Sequence, residues 1–236
     1  SSMMATFRSC AWKAYLEYFE HWKSRTPSPH LHAGKAYAAG LEAARLAFYQ
    51  GGFDPASSVA FGLEALRREW GDYVPPESIA KTLPRMLEAL TFYFEHYQLG
   101  TDAAVPFKLG DKLTVEFSFA EPLSIEHPET GEPLILAGRA DQIVHYAGGT
   151  YIEDDKTASQ LGASWARQWD LRSQFTHYCW AAERMGIHVD GVLVRGVSIL
   201  KTKYDTAESV TYRPKWMIER GIAQLERDVL RMIDAW

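Results

Sequence analysis

The chain has 236 residues, with 25 basic against 30 acidic side chains and a formal net charge of −5. At 47% hydrophobic and 23% charged residues it has ordinary globular composition, which excludes disorder and fibrous repeats. The acidic balance excludes a protein that coats nucleic acid by bulk charge, although a local basic groove stays open.

No window offers about 18 apolar residues free of charge, so no membrane span is expected. Residues 1–6 have no basic stretch before an apolar run, so no secretory signal is expected there. Cys10 and Cys179 are too few for a disulfide framework or a four-cysteine metal site, and a reducing cytoplasm is expected.

Residues 8–23 carry Trp12, Tyr15, Phe19 and Trp22 three or four apart, which predicts one helix with an aromatic face. Ser24 to Pro29 reads as a turn, and residues 31–50 as an Ala-rich helix stopped by Gly51-Gly52. Asp54-Pro55 predicts an N-cap with proline at the first helical position, opening a helix to about Trp70. Pro76 to Tyr97 predicts a fourth helix with a kink at Pro84.

The texture changes near residue 105. Residues 112–119 alternate, with Leu113, Val115, Phe117 and Phe119 on one face, as in a half-buried strand. Residues 126–132 form a turn-rich loop. Residues 133–146 and 150–157 predict two strands joined across Ala147-Gly148-Gly149. Residues 163–185 read as helix, 190–202 and 207–213 as strands, and Pro214 to Trp236 as a last helix. This order predicts an α+β fold: an N-terminal helical region over residues 1–104, then a core over 105–236 with a mixed sheet flanked by helices.

The hairpin holds Asp141, Asp154 and Lys156 within apolar strands, where charges are expensive unless paired or metal-bound. Asp154 and Lys156 share one strand face and Asp155 points to the other. The tight turn folds Asp141 back to within one or two residues of Asp154. Two carboxylates with open positions suit Mg²⁺ or Mn²⁺, and the neighbouring lysine suits positioning or deprotonating an attacking water. A bland alternative from the same residues is a cross-strand salt bridge between Lys156 and Asp141. His30 and His32 have no Cys or carboxylate at ligand spacing and do not make a metal site. The stretch 195–220 carries six basic side chains against three acidic ones, with Tyr204, Tyr212 and Trp216 interleaved. Lys201, Lys203, Arg213, Lys215 and Trp216 are the candidates there for contacting a phosphate backbone and stacking bases.

GRADQIV, then YIEDDKT, then QFTHY resembles the RecB-like, phage-type exonuclease branch of the PD-(D/E)XK nuclease superfamily. The matching residues are Gly138 and Asp141, then Asp154, Lys156 and Thr157, then Gln174 and Tyr178. The resemblance implies a restriction-endonuclease-like core and a deoxyribonuclease of phage or bacterial recombination or repair. It implies DNA as substrate, a recombination protein as a further partner, and 5′-phosphate products. Asp141, Asp154 and the backbone carbonyl of Asp155 would hold Mg²⁺ or Mn²⁺, Lys156 would position the water, and Gln174 and Tyr178 would border the site. In the helix GKAYAAGLE, Ala38 stands where many relatives have a metal-binding histidine. Glu42, one turn on, is the expected substitute carboxylate. Iron–sulfur relatives use four cysteines, so no cluster is expected from this chain. The alternative that Ala38 raises is a catalytically impaired nucleic-acid-binding or assembly module that keeps the fold.

Overall fold

The computed structural model describes residues 2–25 and 28–235. The chain opens with α1 (Ser2–Ser9) and α2 (Ala11–Ala14), the latter running into a π turn at Tyr15–Phe19. Three longer helices follow: α3 (Pro29–Tyr49), α4 (Pro55–Trp70) and α5 (Leu83–His96). The strands begin with β1 (Val105–Pro106) and a small ribbon of β2 (Lys108–Leu109) and β3 (Lys112–Leu113). Then come β4 (Val115–Glu126), β5 (Pro133–Tyr146) and β6 (Gly149–Ala158). The helices α6 (Ala163–Arg167) and α7 (Ser173–Arg184) cross over to β7 (Gly191–Ile199), followed by β8 (Tyr204–Tyr212) and α8 (Lys215–Asp234).

The main sheet runs β5-β6-β7-β8, with β1 and β4 both pairing the outer side of β5. Only the β6–β7 pair is parallel; the others are antiparallel. Every residue of β7 is buried, as expected for a strand covered on both faces. On one face Ile152, Val192 and Val194 pack with Phe175 of α7 and Leu225 of α8. On the other, Val197 and Ile199 pack with Leu41 of α3, Leu66 of α4 and Tyr93 of α5. The helical pair α3–α4 is close because Gly40 and Gly62 face each other. A Cβ on Gly62 would lie 2.6 Å from the Gly40 carbonyl oxygen. The expected α+β architecture, a mixed sheet flanked by helices, is the one observed.

Several boundaries are corrected. The helix expected over 8–23 breaks at Cys10, whose Sγ accepts the Lys13 N–H at 3.4 Å and starts a new helix. Its aromatic face is not core: Trp12 and Trp22 are 67% and 66% exposed. Pro84 lies in the first turn of α5, where its missing N–H is harmless, so it ends a loop and kinks nothing. The helix expected over 163–185 is divided between α6 and α7. The middle of the turn expected at Ser24–Pro29, and Trp236 of the last helix, lie outside the described residues.

Candidate active site

The β5–β6 hairpin closes on a two-residue loop, Ala147 (φ 48°) and Gly148 (φ 84°), with Tyr146 paired to Gly149. Positive φ at both positions is the type I′ geometry whose twist suits paired strands. The ladder then runs in strict register to Gln142↔Glu153. Asp141 and Asp154 are the next residues along, and there the strands part. The Asp155 N–H, past the last ladder pair, donates instead to Asp141 Oδ2 at 2.7 Å. Asp141 thus marks a change in β5. Before it the strand pairs only with β4, forming an arm in which Leu136 and Ala140 are buried and their neighbours are not. After it Gln142, Ile143 and Val144 are all buried in the central sheet.

Burial and the Asp154 charge push the Asp141 carboxyl up to about 7. Asp154 is 2% exposed and is likewise raised, mainly by burial. Lys156 ion-pairs with Asp154 on its own strand and not, as the bland reading had it, across the hairpin with Asp141. Burial pulls the Lys156 ammonium down, but the Asp154 and Asp141 carboxylates outweigh it and hold it charged. On α7 the Gln174 Nε2 donates to the Tyr178 hydroxyl at 2.7 Å, and Tyr178 stands edge-on to Phe119 at 5.9 Å between ring centroids. Burial raises Tyr178 to about 12, and the charges of Asp154, Lys156 and Asp141 all reach it. Gly138 admits the Phe119 ring, since a Cβ there would lie 2.6 Å from it.

One carboxylate was not anticipated. Glu116 of β4 falls opposite Asp141 when the Val115↔Gln142 and Phe117↔Ala140 pairs are interpolated. Its φ of 54° is left-handed, a conformation that costs about 1–3 kcal/mol for a residue with a Cβ and clusters at functional sites. Burial, then the charges of Glu42 and Asp141, push Glu116 up to about 7, although Arg139 ion-pairs with it at 2.6 Å. Sequence alternation gave its strand; only the pairing register with β5 could have singled it out. Glu42 is half-buried on α3 and lines a groove toward Arg68 and Glu69 of α4, while its charge acts on Glu116. Ala38 is half-buried one turn before it.

The other face of β6 is a buried ionic network. Arg45 of α3 donates to Glu153 at 2.6 Å and Asp155 at 2.7 Å, and the Tyr93 hydroxyl donates to Asp155 at 2.7 Å. Arg195 of β7 forks onto Asp102 at 2.6 and 2.8 Å, reaches Glu208 at 2.9 Å, and lies over the Tyr97 ring. Asp155 is therefore held from both sides: its carboxylate by α3 and α5, its N–H by Asp141.

The proposed nucleic-acid contacts do not form one surface. Lys201 and Lys203 are exposed at the end of β7 near Lys156, and Lys215 and Trp216 are exposed at the opposite end of β8. That strand of nine residues separates them by about 27 Å at ~3.3 Å per residue. Arg213 is a correction: it is 3% exposed, with its guanidinium bound to Trp169 O at 2.7 Å, Tyr212 O at 2.9 Å and Thr211 Oγ1 at 2.7 Å. It fastens β8 to the end of α6 and has no face for a phosphate. His32 is also structural, bonded to Trp70 O at 3.0 Å.

The family model of the PD-(D/E)XK nuclease superfamily matches residues 1–235. The chain belongs to the PD-(D/E)XK nuclease superfamily. The fold agrees with a solved structure of a candidate exonuclease from Eubacterium rectale, with a TM-score of 0.56 and 12% identity over 98% of this chain and 78% of that one. A second structure, SSO0001, aligns with a TM-score of 0.36 and 13% identity over 96% of this chain and 86% of that one, too low to bear on the fold. No curated protein matches the sequence. As a PD-(D/E)XK protein the chain is of the nuclease class, which hydrolyses phosphodiester bonds and generally uses divalent metals. No helix among the described residues is long and apolar enough to cross a membrane.

Proposed function

We propose that the chain is a divalent-metal-dependent DNA nuclease of the RecB-like type, acting as an exonuclease in recombination, repair or phage DNA processing in the cytoplasm. The carrying observation is the pair Asp141 and Asp154 at the strand split, with Lys156 beside them. Among the described residues no three His, Cys, Asp or Glu side chains close into a metal cage. The donors still fit a hard cation. Asp154 is buried with the Lys156 ammonium as its ion-pair partner. Asp141 is raised to about 7 by burial and the Asp154 charge, a repulsion that a cation between the two carboxylates would relieve. Mg²⁺ and Mn²⁺ accept one or two carboxylates and keep their remaining positions for water and phosphate.

Asp141, Asp154 and the Asp155 carbonyl would hold the metal, with Glu42 of α3 or Glu116 of β4 as an added carboxylate. When bound, the metal supplies charge stabilisation at the phosphate and lowers the pKa of water. Lys156, kept protonated by the two aspartates, orients the attacking water and offsets charge developing on the phosphate. Gln174 holds the Tyr178 hydroxyl toward the same charges. The N-terminal helices, residues 1–104, would serve the core of residues 105–236 by delivering α3 to the site.

The test is to incubate the protein with labelled single- and double-stranded DNA and Mn²⁺ or Mg²⁺. Degradation that EDTA stops, and that Asp154→Asn lacks, supports the reading. A preparation that binds DNA but leaves it intact under both metals supports the module reading, which rests on Ala38 in the family's histidine position.

A further inference from the structure

Lys81 precedes α5 and is 5% exposed. Its ammonium donates to the Thr157 carbonyl at 3.2 Å and the Thr157 hydroxyl at 2.7 Å. Thr157 directly follows Lys156. Burial lowers the Lys81 ammonium to about 8, and no acidic neighbour acts against that fall. The other buried cations are provided for. Arg45 and Arg195 meet carboxylates, and Arg213 meets carbonyls. An ammonium has three donors, and Thr157 takes two. A buried positive charge with no counter-ion among the described residues is costly unless something outside the chain supplies one.

The surroundings point to an anion. Lys81 and Lys156 line the same cavity of about 630 Å³, together with His30, Gln160, Ser164 and Gln168. No carboxylate among the described residues lines it, in a chain whose acidic residues outnumber its basic ones. The first turn of α3 reaches this cavity through His30, and a helix N-terminus carries partial positive charge. The polar side chains there are donors of the kind that phosphate oxygens accept.

We propose that this cavity is a phosphate subsite, in which Lys81 binds the nucleic-acid phosphate next to the one presented to Lys156. The proposal rests on the nuclease reading of the Asp141–Asp154–Lys156 site for the identity of the strand. It fixes the strand's course, over the C-terminal end of β6 and between α6 and the start of α3.

Binding is measured by fluorescence anisotropy in EDTA, with a labelled single-stranded DNA of about 15 nucleotides. Lys81→Met should weaken binding about 10-fold at low salt, and reduce the slope of log K against log salt by about 0.7, the loss of one phosphate contact. Lys81→Arg should retain most of both. A merely structural role would lower the melting temperature and leave the salt slope alone. Gln168→Glu, an exposed substitution placing a carboxylate in the cavity, should also weaken binding and serves if Lys81→Met does not fold. In metal, KM for a cleaved strand should rise more than kcat falls in Lys81→Met, and Lys81→Arg should restore it. Unchanged affinity and slope in a folded Lys81→Met, or in Gln168→Glu, overturn the subsite even if the wild type cleaves DNA. A Lys81-dependent slope in a wild type that cleaves nothing supports the subsite and sinks the nuclease reading instead.

Discussion

The two faces of β6 handle the same problem, buried carboxylates, in different ways. Glu153 and Asp155 are met by the Arg45 guanidinium, within 2.7 Å. Asp141 and Asp154, one residue out of phase, meet among the described residues a backbone N–H and the Lys156 ammonium. Burial dominates on both faces, since Glu153 too is pushed up to about 7 in spite of Arg45 and Arg195. The arginines do not abolish that penalty; they make a closed, rigid unit that fixes where Asp155 and its neighbours lie. The opposite face leaves carboxylate oxygens for a ligand. One strand thus carries an anchor on its odd positions and the proposed site on its even ones.

The most disruptive way to break this contrast is to open the anchor. Arg195→Met leaves Asp102 and Glu208 without their guanidinium and Glu153 with Arg45 alone, and removing one partner of a buried pair costs about 3–5 kcal/mol. The melting temperature should fall by about 10 °C. A change under about 2 °C would mean that the network is neutral.

Opening the site instead should spare the fold. Asp154→Asn and Lys156→Ala should each reduce cleavage at least ~100-fold while circular dichroism stays that of the wild type. Wild-type turnover in either variant would remove that residue from the chemistry.

A gentler probe is pH. Asp141, Glu116 and Glu153 sit at about 7 in the folded protein, above their ordinary values of 3.8, 4.5 and 4.5. Between about pH 4 and pH 7 the folded state binds more protons than the unfolded one, so metal-free stability should fall as pH rises through that window. Buried His177, lowered from 6.5 to about 3, opposes this below pH 6.5. Thermal melts in EDTA should therefore show a loss of about 5 °C from pH 6 to pH 7.5. Asp141→Asn should make it smaller, with Glu116 and Glu153 supplying the rest, and Mn²⁺ should restore the loss at pH 7.5 by binding the native state. A melting temperature that rises across this interval would contradict the raised carboxylates.

The smallest effect concerns Glu42. Glu42→Gln removes a charge that acts on Glu116, and should raise the metal-free melting temperature by about 1–2 °C while shrinking the metal-induced gain. An unchanged metal gain, measured on the same instrument, would place Glu42 outside the cation's reach.

Much of the hairpin was legible because local rules and tertiary environment agree there. The apolar run of β5, bounded by Pro133 and the turn, gave that strand from 133 to 146, and the tight turn put Asp141 opposite Asp154. Glu116 was not legible, since its relation to Asp141 is a pairing between strands with no short-range signature. The aromatic stripe from Trp12 to Trp22 misled because periodicity reports a face but not whether anything covers it. Arg213 misled for a related reason: composition cannot tell a guanidinium that binds backbone carbonyls from one that faces solvent. Lys81 stood in a segment expected to be helix interior, and only the fold brings it beside Thr157.

The two-residue turn at Ala147-Gly148 has a consequence for how this chain can vary in length. Asp141 and Asp154 meet only because the count of residues between them matches the ladder. One residue added within that turn would slide β5 against β6 and carry Asp141 to the opposite surface of the sheet. The protein could still fold, with its carboxylates in the wrong rows. An equal insertion at residues 127–132 would merely lengthen the tip of the β4–β5 arm, beyond the paired positions of the site. Two loops of similar exposure thus differ sharply in the insertions they tolerate: the distal one is a place to attach a label or a linker, and the proximal one acts as a fixed spacer.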